Sequence, residues 1–201
     1  MKKEKSPRGR PSRRPQIITA AKELIRTQGL ANVTTRAIAK QANCSEAALY
    51  VHFESRLTLL LAVLDESLPE MLAPLQTLEQ SIGIATPQQN LTKAFGAILA
   101  FHEQVIPMIC GLFADTELLV SYRKSLTDRN KGPHGAIARL QRYIAAEQTS
   151  GRIDKKLDAA IVATTLMATS FFNAFTSQFL DQPRPSNAAI KKIVAAAINK
   201  H

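Results

Sequence analysis

From residue 16 onward apolar side chains recur every three or four positions, and no β-branched run alternates with period two. The pattern predicts an all-α chain of about nine to ten helices. A first helix over 16–28 lines Ile17, Ala20, Ala21, Leu24 and Ile25 along one face and stops at Gly29. Thr34 or Thr35 then caps a short helix through Ala42, and Asn43, Cys44 and Ser45 lead into a shorter one that ends near His52. A longer helix begins at Arg56 with Leu57, Leu60, Leu61 and Leu64, and Pro69 and Pro74 are expected to kink or break it. Thr86, Pro87, Gln88 and Gln89 form a helix start, with a capping hydroxyl, a proline in the first turn and a glutamine three residues after the cap. Pro107, the Gly132-Pro133 pair and Gly151 mark further breaks, Asp154 is the expected cap of a helix ending near Leu180, and a last helix covers about 187–200.

The 201 residues and 45% hydrophobic content suffice for a small domain joined to a larger one. Charge is unevenly spread. Residues 1–56 hold twelve Lys/Arg against four Asp/Glu, net +8, while residues 57–201 hold fourteen against twelve, net +2. The excess that suggests a polyanionic partner therefore belongs to the N-terminal quarter. Cys44 and Cys110 lie 66 positions apart with no CxxC motif or Cys/His cluster, so neither a disulfide framework nor a metal site is expected, nor any cofactor. The basic start lacks the apolar stretch of a secretory signal, so a cytoplasmic, nucleoid-associated protein is expected. Residues 159–180 carry no charge over a length that could span a bilayer, but eight of them are polar, which favours a buried helix over a membrane partner.

The two short helices joined through Asn43 have the residue sizes of a helix-turn-helix. Ile38, Ala42, Cys44 and Leu49 are spaced to bury against the first helix and Phe53, and Ala39 permits a close crossing. Asn43 stands where the turn needs a left-handed residue. The second helix then leaves Glu46, Ala47, Tyr50 and Val51 outward, with His52 and Arg56 at its end. Hydroxyl, imidazole and guanidinium groups can donate to phosphates, and Ala47 and Val51 can meet thymine methyl groups. Glu46 has two readings: its carboxylate suits the positive end of the helix, or it accepts from a cytosine amine.

The run TTRAIAKQANCSEAALYVHFESRLTLLLAVL, residues 34–64, resembles the DNA-binding motif of the TetR family of transcriptional regulators, and the likeness extends back through AAKELIRTQGL. By that resemblance Thr35, Arg36, Tyr50, His52 and Arg56 would face the phosphate backbone, and Glu46, Ala47 and Val51 the major groove. Asn43 replaces the usual turn glycine, Ala47 a frequent glycine, and Glu46 a position often basic or neutral, so the resemblance carries over no operator sequence.

Residues 1–15 read as a flexible basic arm ahead of a DNA-binding domain at 16–56. Pro7-Arg8-Gly9-Arg10-Pro11 resembles the core of an AT-hook, with Arg8 and Arg10 extending along an A·T-rich minor groove and Arg13 and Arg14 tracking phosphates. A basic tail that only raises non-specific affinity is the other reading.

Residues 57–201 carry little net charge and are expected to form an effector-binding and dimerisation domain. The resemblance implies a homodimer joined through the last two helices, for which Ala160, Ala163, Ala168, Ile190, Ile193, Val194 and Ala197 supply small and apolar positions. A pocket for a small, largely apolar effector is expected around Phe95, Met108, Phe113, Met167, Phe171 and Phe175, residues that ordinary core packing would equally use. The function expected is that of a ligand-responsive repressor on palindromic double-stranded DNA, since blocking a promoter needs no further surface. An architectural protein of A·T-rich DNA, without an effector, is the alternative. No catalytic residues are expected: His102 opens a sequence HEQVI that lacks the second histidine of HExxH, and no P-loop, GxGxxG or GxSxG occurs. His102 and His134 are expected at the surface or at a pocket rim.

Overall fold

The computed structural model describes residues 12–128 and 132–199, excepting the side chains at 31, 67–72 and 133. Among the described residues the chain is all α, with nine α-helices, one short 3-10 turn and no strand. The helices are α1 (Arg14–Gln28), α2 (Thr35–Gln41), α3 (Glu46–His52), α4 (Arg56–Gln80), α5 (Pro87–Ala114), α6 (Thr116–Asp128), α7 (Pro133–Thr149), α8 (Ala159–Phe179) and α9 (Asn187–Ile198), and the 3-10 turn is Leu30–Asn32. They form two compact units, one ending at Val63 and the other beginning at Leu64.

In the first unit α1 buries Ile17, Ile18, Ala20, Ala21, Leu24 and Ile25 and packs against both α2 and α3. Ile38 and Ala39 of α2, Leu49 of α3, and Phe53, Leu59, Leu60 and Val63 complete a dry core. Seven residues are too few for α3 to persist alone. The fully buried Leu49 and the nearly buried Phe53 hold it, at roughly 2 kcal/mol of apolar burial apiece.

In the second unit α5 is the central helix: α6, α8 and α9 all pack on it, and α7 packs on α8. Its start is a reciprocal cap in which the Thr86 hydroxyl accepts from the Gln89 amide and the Gln89 side chain accepts from the Thr86 amide. The fully buried Glu147 staples two loops together. Its Oε1 accepts from the Gly83 amide at 3.3 Å and its Oε2 meets Arg152 Nε at 3.2 Å, while the Arg152 guanidinium also donates to the Ala85 carbonyl. Nearby, Asn90 Nδ2 donates to the Ser81 carbonyl at 3.1 Å and to Tyr143 Oη at 2.9 Å, and burial pushes the Tyr143 phenol up to about 12.

Two expectations about helix punctuation fail, and of the kink or break expected at positions 69 and 74 the break does not occur. α4 continues through positions 69 and 74, and α5 continues through Pro107. A proline inside a helix costs about 3 kcal/mol. Val105, Ile106, Met108 and Leu112 are all buried around Pro107, and their packing outweighs that cost. The cap of α8 is Asp158, which accepts from the Ala160 and Ile161 amides, and not Asp154. Gln148 donates to the carbonyls of Asp154 and Leu157, so it folds the intervening residues into a turn in which Asp154 Oδ1 accepts from the Lys156 amide.

Candidate nucleic-acid interface

The turn between α2 and α3 is closed by hydrogen bonds that its sequence makes possible. Thr34 caps α2 by accepting from the Ala37 amide, and Ser45 caps α3 by accepting from the Ala48 amide. At the end of α2 the Cys44 amide donates to the Ala39 carbonyl at 2.9 Å and the Asn43 amide to the Lys40 carbonyl at 3.2 Å, the paired bonds of a Schellman motif. Such a turn needs one left-handed residue, and Asn43 supplies it with φ of 52°. Asparagine therefore does here what glycine does more commonly.

This turn fixes the outward face of α3. Ala47 and Tyr50 are exposed, Val51 is 81% exposed, and His52 is half-buried at the end of the helix. Arg36 is exposed on α2. Two other predicted contacts are engaged within the unit: Arg56 Nη2 donates to the Leu30 carbonyl at 3.1 Å, and Thr35 Oγ1 donates to Glu46 Oε1 at 2.5 Å. Tyr50 Oη lies 3.5 Å from the same threonine oxygen, so Thr35, Glu46 and Tyr50 form one cluster across the starts of α2 and α3.

Arg8 and Arg10 lie outside the described residues. Arg13 and Arg14 are described, and both bind back onto the unit. Arg13 Nη1 donates to the Asn43 carbonyl at 2.7 Å, and the Arg14 guanidinium stands 5.3 Å from the centre of the Phe53 ring, a cation–π contact. The chain thus enters α1 beside the turn that precedes α3. Arg13, Lys40, Asn43, Cys44, Ser45 and Ala48 line a concavity of about 580 Å³ there. Lys40 does not stand out in the sequence pattern, although it follows Arg36 by four residues on the same helix face.

In the second unit the residues read as effector pocket fall into two groups. Phe95, Met108 and Met167 are packed into the core, whereas Phe113, Phe171 and Phe175 lie toward the outside, with Phe113 68% exposed. A cleft in this unit lies elsewhere. Ala73, Pro74, Thr77, Leu78 and Ser81 of α4 and its end face Asn90, Lys93, Ala94 and Ala97 of α5 across about 590 Å³ of mostly apolar space.

Of the positions read as dimer interface, Ala163, Ile190 and Val194 are buried in their own chain, Ala160, Ile193 and Ala197 are half-buried, and Ala168 is exposed. The outward face of α8 carries Ile161, Thr165, Ala168, Phe172 and Phe179, spaced by four, three, four and seven residues. His102, expected at the surface or a rim, is instead buried. Its Nδ1 is 3.0 Å from the hydroxyl of the fully buried Ser170, and Phe171 meets its ring edge-on with centroids 5.5 Å apart. Burial lowers the imidazole to about 4. His134 is exposed. No group of three or more metal-ligating side chains occurs among the described residues.

Residues 17–63 match the family described as bacterial regulatory proteins, tetR family. Over 48 residues the chain is 46% identical to the nucleoid occlusion factor SlmA of Aliivibrio fischeri, a match covering 23% of this chain and 24% of that protein. Over 107 residues it is 30% identical to SlmA of Marinobacter nauticus, covering 53% of each. The match thus spans about a quarter to a half of these relatives. The fold as a whole is similar to that of the transcriptional regulator FadR from Bacillus subtilis, solved in complex with stearoyl-CoA, with a TM-score of 0.67 and 22% identity over 92% of this chain and 97% of that one.

Proposed function

We infer that this chain, whose residues 17–63 match the bacterial tetR family, is a homodimeric transcriptional repressor that grips a palindromic operator and is released by a small effector. The family is one of regulatory proteins, not of enzymes. The observation that carries the reading is the exposed face of α3, with Ala47, Tyr50 and Val51 presented by a helix whose packing and turn are otherwise complete. The exposed valine counts because it stands with Ala47 and Tyr50 on the helix that a helix-turn-helix lays in the major groove.

The stripe along α8 supports the dimer. Ile161, Phe172 and Phe179 are all more than 60% exposed, and an apolar row with this spacing suits a second copy of the same helix. A dimer would pair two α3 helices with the two halves of an inverted repeat. The cleft between α4 and α5 supports the effector: its apolar walls, with Lys93 exposed at the rim, suit a largely apolar compound that carries an anionic group. Stearoyl-CoA, held by the Bacillus subtilis regulator, is of that chemical kind. Release requires the effector to bind more tightly to the dimer geometry that does not fit the operator.

The likeness to nucleoid occlusion factors favours a second reading, in which the chain acts while bound to DNA and answers to no small effector. Selection of bound sequences from random DNA, followed by titration of fatty acids and their coenzyme A esters into the selected complex, tests both. A palindrome released by one of these compounds supports the repressor, a palindrome that none releases favours the second reading, and binding without any sequence preference refutes both.

A further inference from the structure

We propose that Glu46 is a base-selecting residue, a carboxylate steadied by Thr35 that accepts a cytosine amine and rejects guanine and thymine at one base pair of each half-site. The inference rests on the DNA-binding reading above and assigns it a specificity.

The Thr35 hydroxyl has a single proton, and at 2.5 Å it donates that proton's hydrogen bond to Glu46 Oε1. Thr35 is therefore not a phosphate donor in this arrangement. It is a positioning residue for the carboxylate. Glu46 also precedes Tyr50 by four residues, so the two share one side of α3, and Tyr50 is 46% exposed on it. The second carboxylate oxygen, Oε2, has no hydrogen-bond donor among the described residues. One oxygen is thus held by Thr35 and the other accepts from no described residue, on a half-buried side chain that shares a side of α3 with Tyr50.

An ionised carboxylate only accepts hydrogen bonds. In the major groove guanine presents two acceptors, and thymine an acceptor with a methyl group, so both oppose it. Adenine presents an amine beside an acceptor nitrogen, a mixed edge. Cytosine presents its N4 amine alone, and it fits. A carboxylate near phosphates also weakens binding to every sequence, so its contribution is discrimination rather than strength. The net +8 of residues 1–56 can sustain that loss.

The test is selection from random DNA by the wild-type chain, Glu46→Gln and Thr35→Val, followed by competition titrations with single base-pair changes and a melting curve for each protein. Wild type is expected to enrich cytosine at one position of each half-site and to bind about tenfold more weakly when thymine replaces it. In Glu46→Gln the amide keeps the oxygen that Thr35 holds and adds a donor, so the preference should move to adenine at that position alone. Thr35→Val should blunt the cytosine preference severalfold while leaving the base preferences at the other positions as in wild type, and its melting curve should still show one cooperative transition. The same base preference in wild type and Glu46→Gln at every position would overturn the proposal. Absence of any enriched sequence with wild type would overturn the DNA-binding reading itself, and the two failures are distinguishable.

Discussion

Protonating His102 should unfasten α5 from α8, and the pH at which this happens follows from its surroundings. The imidazole is buried, its nearest polar partner is the neutral Ser170 hydroxyl at 3.0 Å, and Phe101 and Phe171 flank it. Burial lowers it to about 4, whereas in the unfolded chain it titrates near the ordinary value of 6.5. On acidification the unfolded chain therefore takes up the proton first. The stabilisation is complete above about pH 6.5 and is lost as the pH falls toward 4. A shift of about 2.5 units corresponds to roughly 3 kcal/mol in full, of which about 2 kcal/mol is gone by pH 5. Urea unfolding of the wild type and of His102→Gln at pH 8 and pH 5 isolates this contribution from other titrating groups. Wild type should lose about 2 kcal/mol more than the variant between the two pH values. Equal losses, or a His102 ring resonance that titrates near 6.5 in the folded protein, would refute the reasoning.

Other outcomes follow from the same geometry. Phe172→Asp should place a charge on the outward stripe of α8, give one chain per particle in sedimentation and weaken operator binding by at least about 100-fold, because the second α3 is no longer tethered. Removing residues 1–11, which hold five Lys/Arg and one Glu, should make the salt dependence of DNA binding shallower by about 0.9 in log–log slope for each phosphate that is no longer neutralised, and an unchanged slope would deny the arm a role. Asn43→Ala should destabilise the first unit by about 1 kcal/mol at its φ of 52°, whereas Asn43→Gly should be close to neutral in a thermal melt.

Local chemistry is legible in the chain. The hydroxyl caps at Thr34, Ser45 and Thr86, and the left-handed turn at Asn43, depend on neighbours within a few residues, so the helix-turn-helix can be drawn from the residues alone. The direction in which apolar helices face cannot. α8 is apolar on opposite sides, so spacing alone does not tell that Ala163 and Met167 point inward while Ala168 and Phe172 point out. Phe95, Met108 and Met167 are buried, and spacing does not separate a pocket lining from a core, because the two have the same composition. Long-range partners are also invisible. Nothing near Glu147 in sequence announces Gly83, and nothing near Thr35 announces Glu46 eleven residues on, although both bonds hold the groups involved in place. Prolines mislead because helix breaking is a local cost that tertiary burial offsets in α5.

In the repressor proposed above, two copies of this chain read DNA through paired α3 helices, an arrangement open to direct measurement. It is tested most directly by measuring affinity and stoichiometry together on the selected palindrome and on the same duplex with one half-site scrambled. Two chains per intact palindrome, with a loss of affinity of at least about tenfold on scrambling, is the result expected. Equal affinity for the two duplexes would contradict it.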